Sequence, residues 1–316
     1  MLKTLLKNKK NNKNNENNEK EIKNIKKKLK KMEKRVDSNL NLLNFIFLNY
    51  KIEAKGYLRY MQLTSLEILK FFDYICQKHD IQYWLDYGTL LGAIRHEGFI
   101  PWDDDLDVGV IRKDYDKLME ILPKEVERYG NLNGKLLVGT IKKPVDENVL
   151  FIQLRHYDKF LSCLDIFPYD YIKKDSIEFY LKNSKEICKK YKKEIVNAPN
   201  NLKKDYLKYL NEKIGATDES DYIMVSGEFS RIKMDVYLKE DIFPLKPAIF
   251  EGMKIKVPSN YPKYLESKYG NKFMKLPTIA KAHSRSNKQY DFLSEDDKKV
   301  YEKDLNYLKS FNESLK

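Results

Sequence analysis

Apolar residues recur along this chain with two different periods, and the change of period divides it. Ile22, Ile25, Leu29, Met32 and Val36 follow steps of 3, 4, 3 and 4. That is an a/d heptad seam with lysines on the outer positions. The seam resumes through Leu40, Leu43 and Phe47 after a step of 4 where 3 is due. The spacing predicts a short coiled coil, through which residues 22–47 would form a homo-oligomer, or a helix lying on a membrane surface. Leu63, Leu66, Leu69, Phe72, Ile75 and Cys76 predict a second amphipathic helix that ends near His79.

Beyond His79 the period shortens. Gln82 to Asp86 reads as a strand entering Tyr87-Gly88-Thr89, and Thr89 to Arg95 as a short helix. Phe99-Ile100-Pro101-Trp102 reads as a turn, Asp105 to Ile111 as a strand, and Lys113 to Leu122 as a helix stopped before Pro123. Further strands are expected over Lys135 to Ile141, Val149 to Tyr157 and Cys163 to Phe167, and a helical region over Asp175 to Lys213. Residues 223–262 read as mixed, with Met253 to Val257 alternating like a strand, and Glu295 to Leu308 as a closing helix. The expected fold class is α+β: a small mixed sheet flanked by helices, with an N-terminal helical or coiled-coil extension and an appended helical region. The expected divisions are 1–60, 61–172 and 173–316.

Charge sharpens this picture. The net charge is +13 over 316 residues, but residues 1–36 hold 14 Lys/Arg against 4 Asp/Glu. That leaves +3 for the remainder, too little for a nucleic-acid-binding body, so no nucleic-acid partner is expected. The basic segment, with an Asn/Lys tract over residues 7–20, reads as a solvated arm or as a peripheral contact with anionic head groups. The densest apolar stretch, Leu40 to Ile52, is broken by Asn41, Asn44, Asn49 and Lys51 and is too short to span a bilayer. No secretory signal pattern opens the chain. The expected location is cytoplasmic, at most peripheral to the inner face of the cell membrane. Cys76, Cys163 and Cys188 show no CxxC spacing, and the four histidines show no HExxH spacing.

The chemistry concentrates in Gly88-Thr-Leu-Leu-Gly-Ala-Ile-Arg-His-Glu-Gly-Phe-Ile-Pro-Trp-Asp-Asp-Asp-Leu-Asp107. Gly88 and Thr89 at a strand-to-helix junction suit a phosphate, because glycine permits close approach and a helix start offers free N–H groups. Asp103, Asp104, Asp105 and Asp107 crowd four carboxylates together. In an extended strand Asp105 and Asp107 would share a face. Such carboxylates repel one another unless a cation neutralises them, and hard oxygen ligands suit Mg²⁺ or Mn²⁺. Asp165, set in the apolar run Cys163-Leu164-Asp165-Ile166-Phe167, is the third candidate ligand.

On these residues the chain resembles the LicD-type phosphotransferase family, which includes phosphocholine transferases and is similar to fukutin-related ribitol-phosphate transferases. Leu164 to Asp170 resembles that family's second motif. Tyr264-Leu265-Glu266-Ser-Lys-Tyr269-Gly270, with Met274 and Leu276-Pro277, resembles its C-terminal motif. Asn271 departs from a common aspartate, and Pro277 stands alone where Pro-Pro is frequent. The resemblance covers roughly residues 60–285 and implies a nucleotidyltransferase-like catalytic core over 61–172. It implies Asp105, Asp107 and Asp165 as metal ligands and catalytic carboxylates, and Gly88 and Thr89 as holders of the donor phosphates. Arg95 and His96 would contact phosphate or brace the motif. The implied reaction moves phosphocholine or an alditol phosphate from a CDP-linked donor to a cell-surface glycan or lipid-linked glycan, such as lipopolysaccharide, teichoic acid or capsule. Two alternatives stand beside it: a nucleotidyltransferase that makes a nucleotide-activated compound, and a non-catalytic coiled-coil scaffold.

Overall fold

The computed structural model describes residues 2–50, 52–130, 132, 136–139, 152–156, 162–190, 193–194, 215–225, 236–276 and 294–315. The chain forms two compact units. The first is built on helix α1 (Leu2–Asn49), with residues 275 and 276. α1 runs through the Asn/Lys tract, so the arm expected to be solvated and without structure is helical there. Within this unit the backbone N–H of Leu276 donates to Oδ1 of Asn44 at 2.6 Å.

The second unit begins with α2 (Gly56–Lys78). Its predicted apolar stripe is the buried one: Leu66, Leu69, Phe72, Ile75 and Cys76 all face the core. Full burial of such side chains contributes about 1.5–3 kcal/mol each. β1 (Tyr83–Leu85), α3 (Tyr87–His96) and β2 (Leu106–Ile111) follow. Then come α4 (Arg112–Arg128), β3 (Leu136–Gly139), β4 (Ile152–His156), β5 (Cys163–Ile172) and α5 (Lys174–Lys190). β6 (Ala216–Thr217), β7 (Tyr222–Val225), β8 (Val236–Leu238) and α6 (Lys239–Ile242) lead to the hairpin β9 (Lys246–Phe250) and β10 (Met253–Val257). α7 (Tyr261–Tyr269) and α8 (Glu295–Ser314) close the described chain.

One mixed sheet runs β1-β2-β5-β4-β3. β2 and β5 are parallel, with Asp107 opposite Asp165, and the other pairings are antiparallel. β5 is longer than the expected Cys163 to Phe167 because it serves two neighbours on its other edge. On that edge its first half pairs with β4 and its second half with β7, while β6 pairs with Tyr171 and Ile172 on the edge shared with β2. Pro168, which cannot donate to a ladder, falls between the two halves. Trp84, Leu85, Leu106, Val108, Val110, Leu164 and Ile166 are fully enclosed and form the centre of the core. α8 packs on α2, where the buried Asn312 donates from Nδ2 to the Glu67 carbonyl at 2.9 Å.

Two expectations are corrected. α4 does not stop before Pro123 but continues to Arg128. The N–H missing at Pro123 would have served the carbonyl of Met119, a residue on the exposed face, while Leu122, Glu125 and Val126 anchor the last turns inside. The strand expected from Asp105 begins at Leu106. β3 and β4 are shorter than the strands predicted there, and α5 covers only part of the predicted Asp175 to Lys213. Apart from residues 193–194, the remainders lie outside the described residues. Met253 to Val257 is a strand as predicted, and the closing helix extends to Ser314.

Candidate active site

Asp86 organises the approach to the site. It ends β1 and caps α3, accepting from the Tyr87 N–H at 2.7 Å. Its carboxylate is fully buried and also accepts from the hydroxyls of Tyr264 at 2.7 Å and Tyr169 at 2.5 Å. Nζ of Lys268 lies 3.5 Å from its Oδ1, and 3.5 Å from the centre of the Tyr87 ring. A buried carboxylate is tolerated only when donors of this kind surround it. Tyr264 and Lys268 lie four residues apart on α7, one helical turn, so both reach the same anion. The C-terminal motif is thereby fastened to the start of α3.

The acidic turn follows α3. A Cβ on Gly92 would lie 2.4 Å from the carbonyl oxygen of Gly98, so only glycine allows the chain to fold back there. Gln62 donates to the Asp103 carbonyl at 2.9 Å, and Arg59 links Gln62 to Glu251. Glu251, in the β9–β10 turn, accepts from the Phe99 N–H at 3.2 Å. Three separate elements thus fix the loop that carries the aspartates.

Asp103, Asp104 and Asp105 can each offer one carboxylate oxygen such that all lie within 4.8 Å of one another. Asp107 and Asp165 stand side by side on the adjacent parallel strands β2 and β5. Burial, then the neighbouring Asp105 and Asp104, raise the Asp103 carboxyl to about 8. Burial and Asp105 raise Asp165 to about 7, opposed by hydrogen bonds from Gln153 and Cys163 and by the charge of Arg155. Asp107 is pushed well up by burial and by Asp105, Asp165, Asp103 and Asp86. Nε2 of Gln153 donates to Oδ1 of Asp165 at 2.5 Å, and Oε1 of Gln153 accepts from Nε of Arg155 at 2.7 Å.

The structure brings Asp105, Asp107 and Asp165 into one electrostatic cluster and adds Asp103 and Asp104, which the sequence reading left outside the ligand set. Gly88 is the second residue of α3, and its backbone is not left-handed. A Cβ there would lie 2.5 Å from Oδ2 of Asp103. Its value is close approach, and the group that approaches is a carboxylate of the site. Thr89 is buried, and its Oγ1 accepts from the Asp107 N–H at 2.8 Å, bracing β2 against α3. Nη1 of Arg95 donates to the Phe273 carbonyl at 3.1 Å, and its Nε to Nε2 of His96 at 2.9 Å. Burial lowers Arg95 to about 10, against the pull of Tyr269 and Asp103. Burial and Arg95 lower His96 to about 4, so its ring is neutral at physiological pH. Tyr269 is half-exposed, and its hydroxyl is pushed up by burial and by the field of Asp107, Asp86, Asp103 and Asp105. The sequence analysis assigns no site role to Asp86, Lys268 or Tyr269, although the last two lie in the C-terminal motif. The Tyr264–Lys268 spacing was the one available signal.

A mixed sheet that pairs Asp107 with Asp165 on adjoining strands, beside an acidic turn and a Gly-Thr helix start, defines a domain with an acidic centre. Residues 80–201 match the family described as LicD/FKTN/FKRP, nucleotidyltransferase domain. It is 29% identical over 252 residues to lipopolysaccharide cholinephosphotransferase LicD of Haemophilus influenzae, covering 70% of this chain and 92% of that protein. It is 35% identical over 132 residues to an uncharacterized protein of Rickettsia typhi, covering 41% of this chain and 39% of that protein. It is 23% identical over 191 residues to human ribitol 5-phosphate transferase FKRP, covering 60% of this chain but only 28% of that protein.

Among the described residues no helix is long and apolar enough to cross a membrane.

Proposed function

We propose that this chain is a metal-dependent phosphotransferase that moves phosphocholine or an alditol phosphate from a CDP-linked donor onto a glycan. One observation carries the reading: Asp103, Asp104 and Asp105 offer carboxylate oxygens within 4.8 Å of one another, and Asp107 and Asp165 are paired on adjacent strands, inside the segment that matches the LicD/FKTN/FKRP domain. The names of the relatives, a cholinephosphotransferase and a ribitol 5-phosphate transferase, support the substrate class.

The donor set fits a hard divalent cation. It is all carboxylate oxygen, and its members raise one another's affinity for protons, the signature of anions short of positive charge. Asp105, Asp107 and Asp165, with Asp103 and Asp104 beside them, would hold Mg²⁺ or Mn²⁺, which when bound supplies charge neutralisation at the donor phosphates. The chain's own groups do the rest. The start of α3, with Gly88 and Thr89, lies against the acidic turn and positions its carboxylates and β2. Gln153 and Thr89 fix the positions of Asp165 and β2. The acceptor hydroxyl oxygen forms a bond to the phosphorus that carries the substituent, the bond from that phosphorus to the CMP oxygen breaks, and CMP leaves. The hydroxyl proton passes to one of Asp105, Asp107 or Asp165.

A screen with CDP-choline, CDP-ribitol and CDP-glycerol, read by mass gain on candidate glycans, tests the proposal. A gain equal to a phospho-substituent, with CMP released, is expected. A parallel arm with CTP and phosphocholine, ribitol 5-phosphate or glycerol 3-phosphate that releases pyrophosphate and forms the CDP-linked compound would replace this reading with the nucleotidyltransferase. Turnover of no donor would leave the scaffold.

A further inference from the structure

We infer that α1 pairs with α1 of a second copy of this chain, as a parallel, in-register coiled coil centred on Ile22–Val36. The seam residues Ile22, Ile25, Leu29, Met32 and Val36 are 52, 53, 55, 63 and 62% exposed, a continuous apolar stripe left open along one helix. With Ile22, Leu29 and Val36 at a, and Ile25 and Met32 at d, the flanking positions are fixed. Glu21 and Lys28 fall at g, and Lys26 and Glu33 at e.

In a parallel pair each g residue faces the e residue five positions on in the partner helix. Glu21 then meets Lys26 of the second copy, and Lys28 meets Glu33, so both kinds of pair join opposite charges. The surplus lysines Lys23, Lys27, Lys30, Lys31 and Lys34 fall at b, c and f, away from the seam.

The same pattern argues against a lipid surface as the occupant. The stripe is the narrow a/d seam of a coiled coil, whereas a face buried in an interface is broader. Glu21 and Glu33 alternate with Lys28 and Lys26 along its two borders, a pattern of matched opposite charges rather than the uniformly basic border that suits anionic head groups.

Sedimentation of the full chain over a range of concentrations tests this, using Glu21→Lys, Lys26→Glu and Leu29→Gln. Wild type should dimerise and Leu29→Gln should sediment as monomer. Each charge variant alone sets like charges against each other twice, weakening the dimer on the order of tenfold. Mixed in equal amounts, Glu21→Lys and Lys26→Glu should restore wild-type affinity, because the introduced lysine of one chain then faces the introduced glutamate of the other. Thermal unfolding of the second unit should be unchanged throughout. A wild-type chain that stays monomeric overturns the inference, as does a mixture no tighter than its components. A monomer whose binding to phosphatidylserine-containing vesicles is lost in Leu29→Gln would give the seam to lipid instead.

Discussion

Replacing Asp165 with asparagine should make the metal-free protein more stable as well as inactive. The carboxyl titrates near 7 in the fold against 3.8 in the unfolded chain. With the folded value raised, the native state holds the proton more tightly. Stability is therefore full below about pH 4 and is lost as pH rises toward 7. The gap corresponds to about 4 kcal/mol at 1.36 kcal/mol for each tenfold change in proton affinity. Proton sharing with Asp105 and Asp107 reduces this to about 2–4 kcal/mol. Asparagine carries no charge, keeps the shape, and still accepts from Gln153. At pH 8 in EDTA, Asp165→Asn should therefore melt roughly 5–10 °C above wild type. The gap should shrink at pH 5 and narrow again when Mg²⁺ or Mn²⁺ stabilises the wild type. Differential scanning fluorimetry across that matrix is the assay. A variant that melts below wild type at pH 8, or a gap indifferent to pH, would refute the reasoning that the carboxylates repel one another.

Other perturbations separate the parts of the site. Lys268→Met removes the cation beside the buried Asp86 and should cost about 3 kcal/mol, read as a fall in melting temperature; no fall would show that the tyrosines suffice. Gly88→Val should fold but displace the Asp103 carboxylate, abolishing the thermal shift on adding Mn²⁺ with a CDP-donor; a folded variant with a normal shift contradicts that placement. Glu251→Gln weakens the Arg59 clamp on the acidic turn and should raise the metal concentration needed for half-maximal activity several-fold without changing the melting temperature by more than about 1 kcal/mol equivalent.

What was legible in the sequence was local. The period of α2, the turn at Pro101, the alternation of β10 and the embedded aspartates are each written within a few residues. The dual pairing of β5 was not legible, because it depends on two distant strands meeting one edge. Pro123 misled because a helix breaker is tolerated where the carbonyl it strands faces water. Asp103 reads as one of four crowded carboxylates, and only the fold shows it lodged against Gly88. Asp86 reads only as the end of a strand. Its partners Tyr169, Tyr264 and Lys268 lie 83 or more residues away, and nothing local announces them.

The central claim, that this acidic cluster transfers a substituted phosphate from a CDP-linked donor, is tested most directly by CMP release. Wild type and Asp107→Asn should be run side by side on the donor that the screen selects, each with Mg²⁺ and with EDTA. The account predicts CMP from wild type with Mg²⁺ and none in the other three conditions, with both proteins folded. Equal CMP from Asp107→Asn, or from wild type in EDTA, would contradict it.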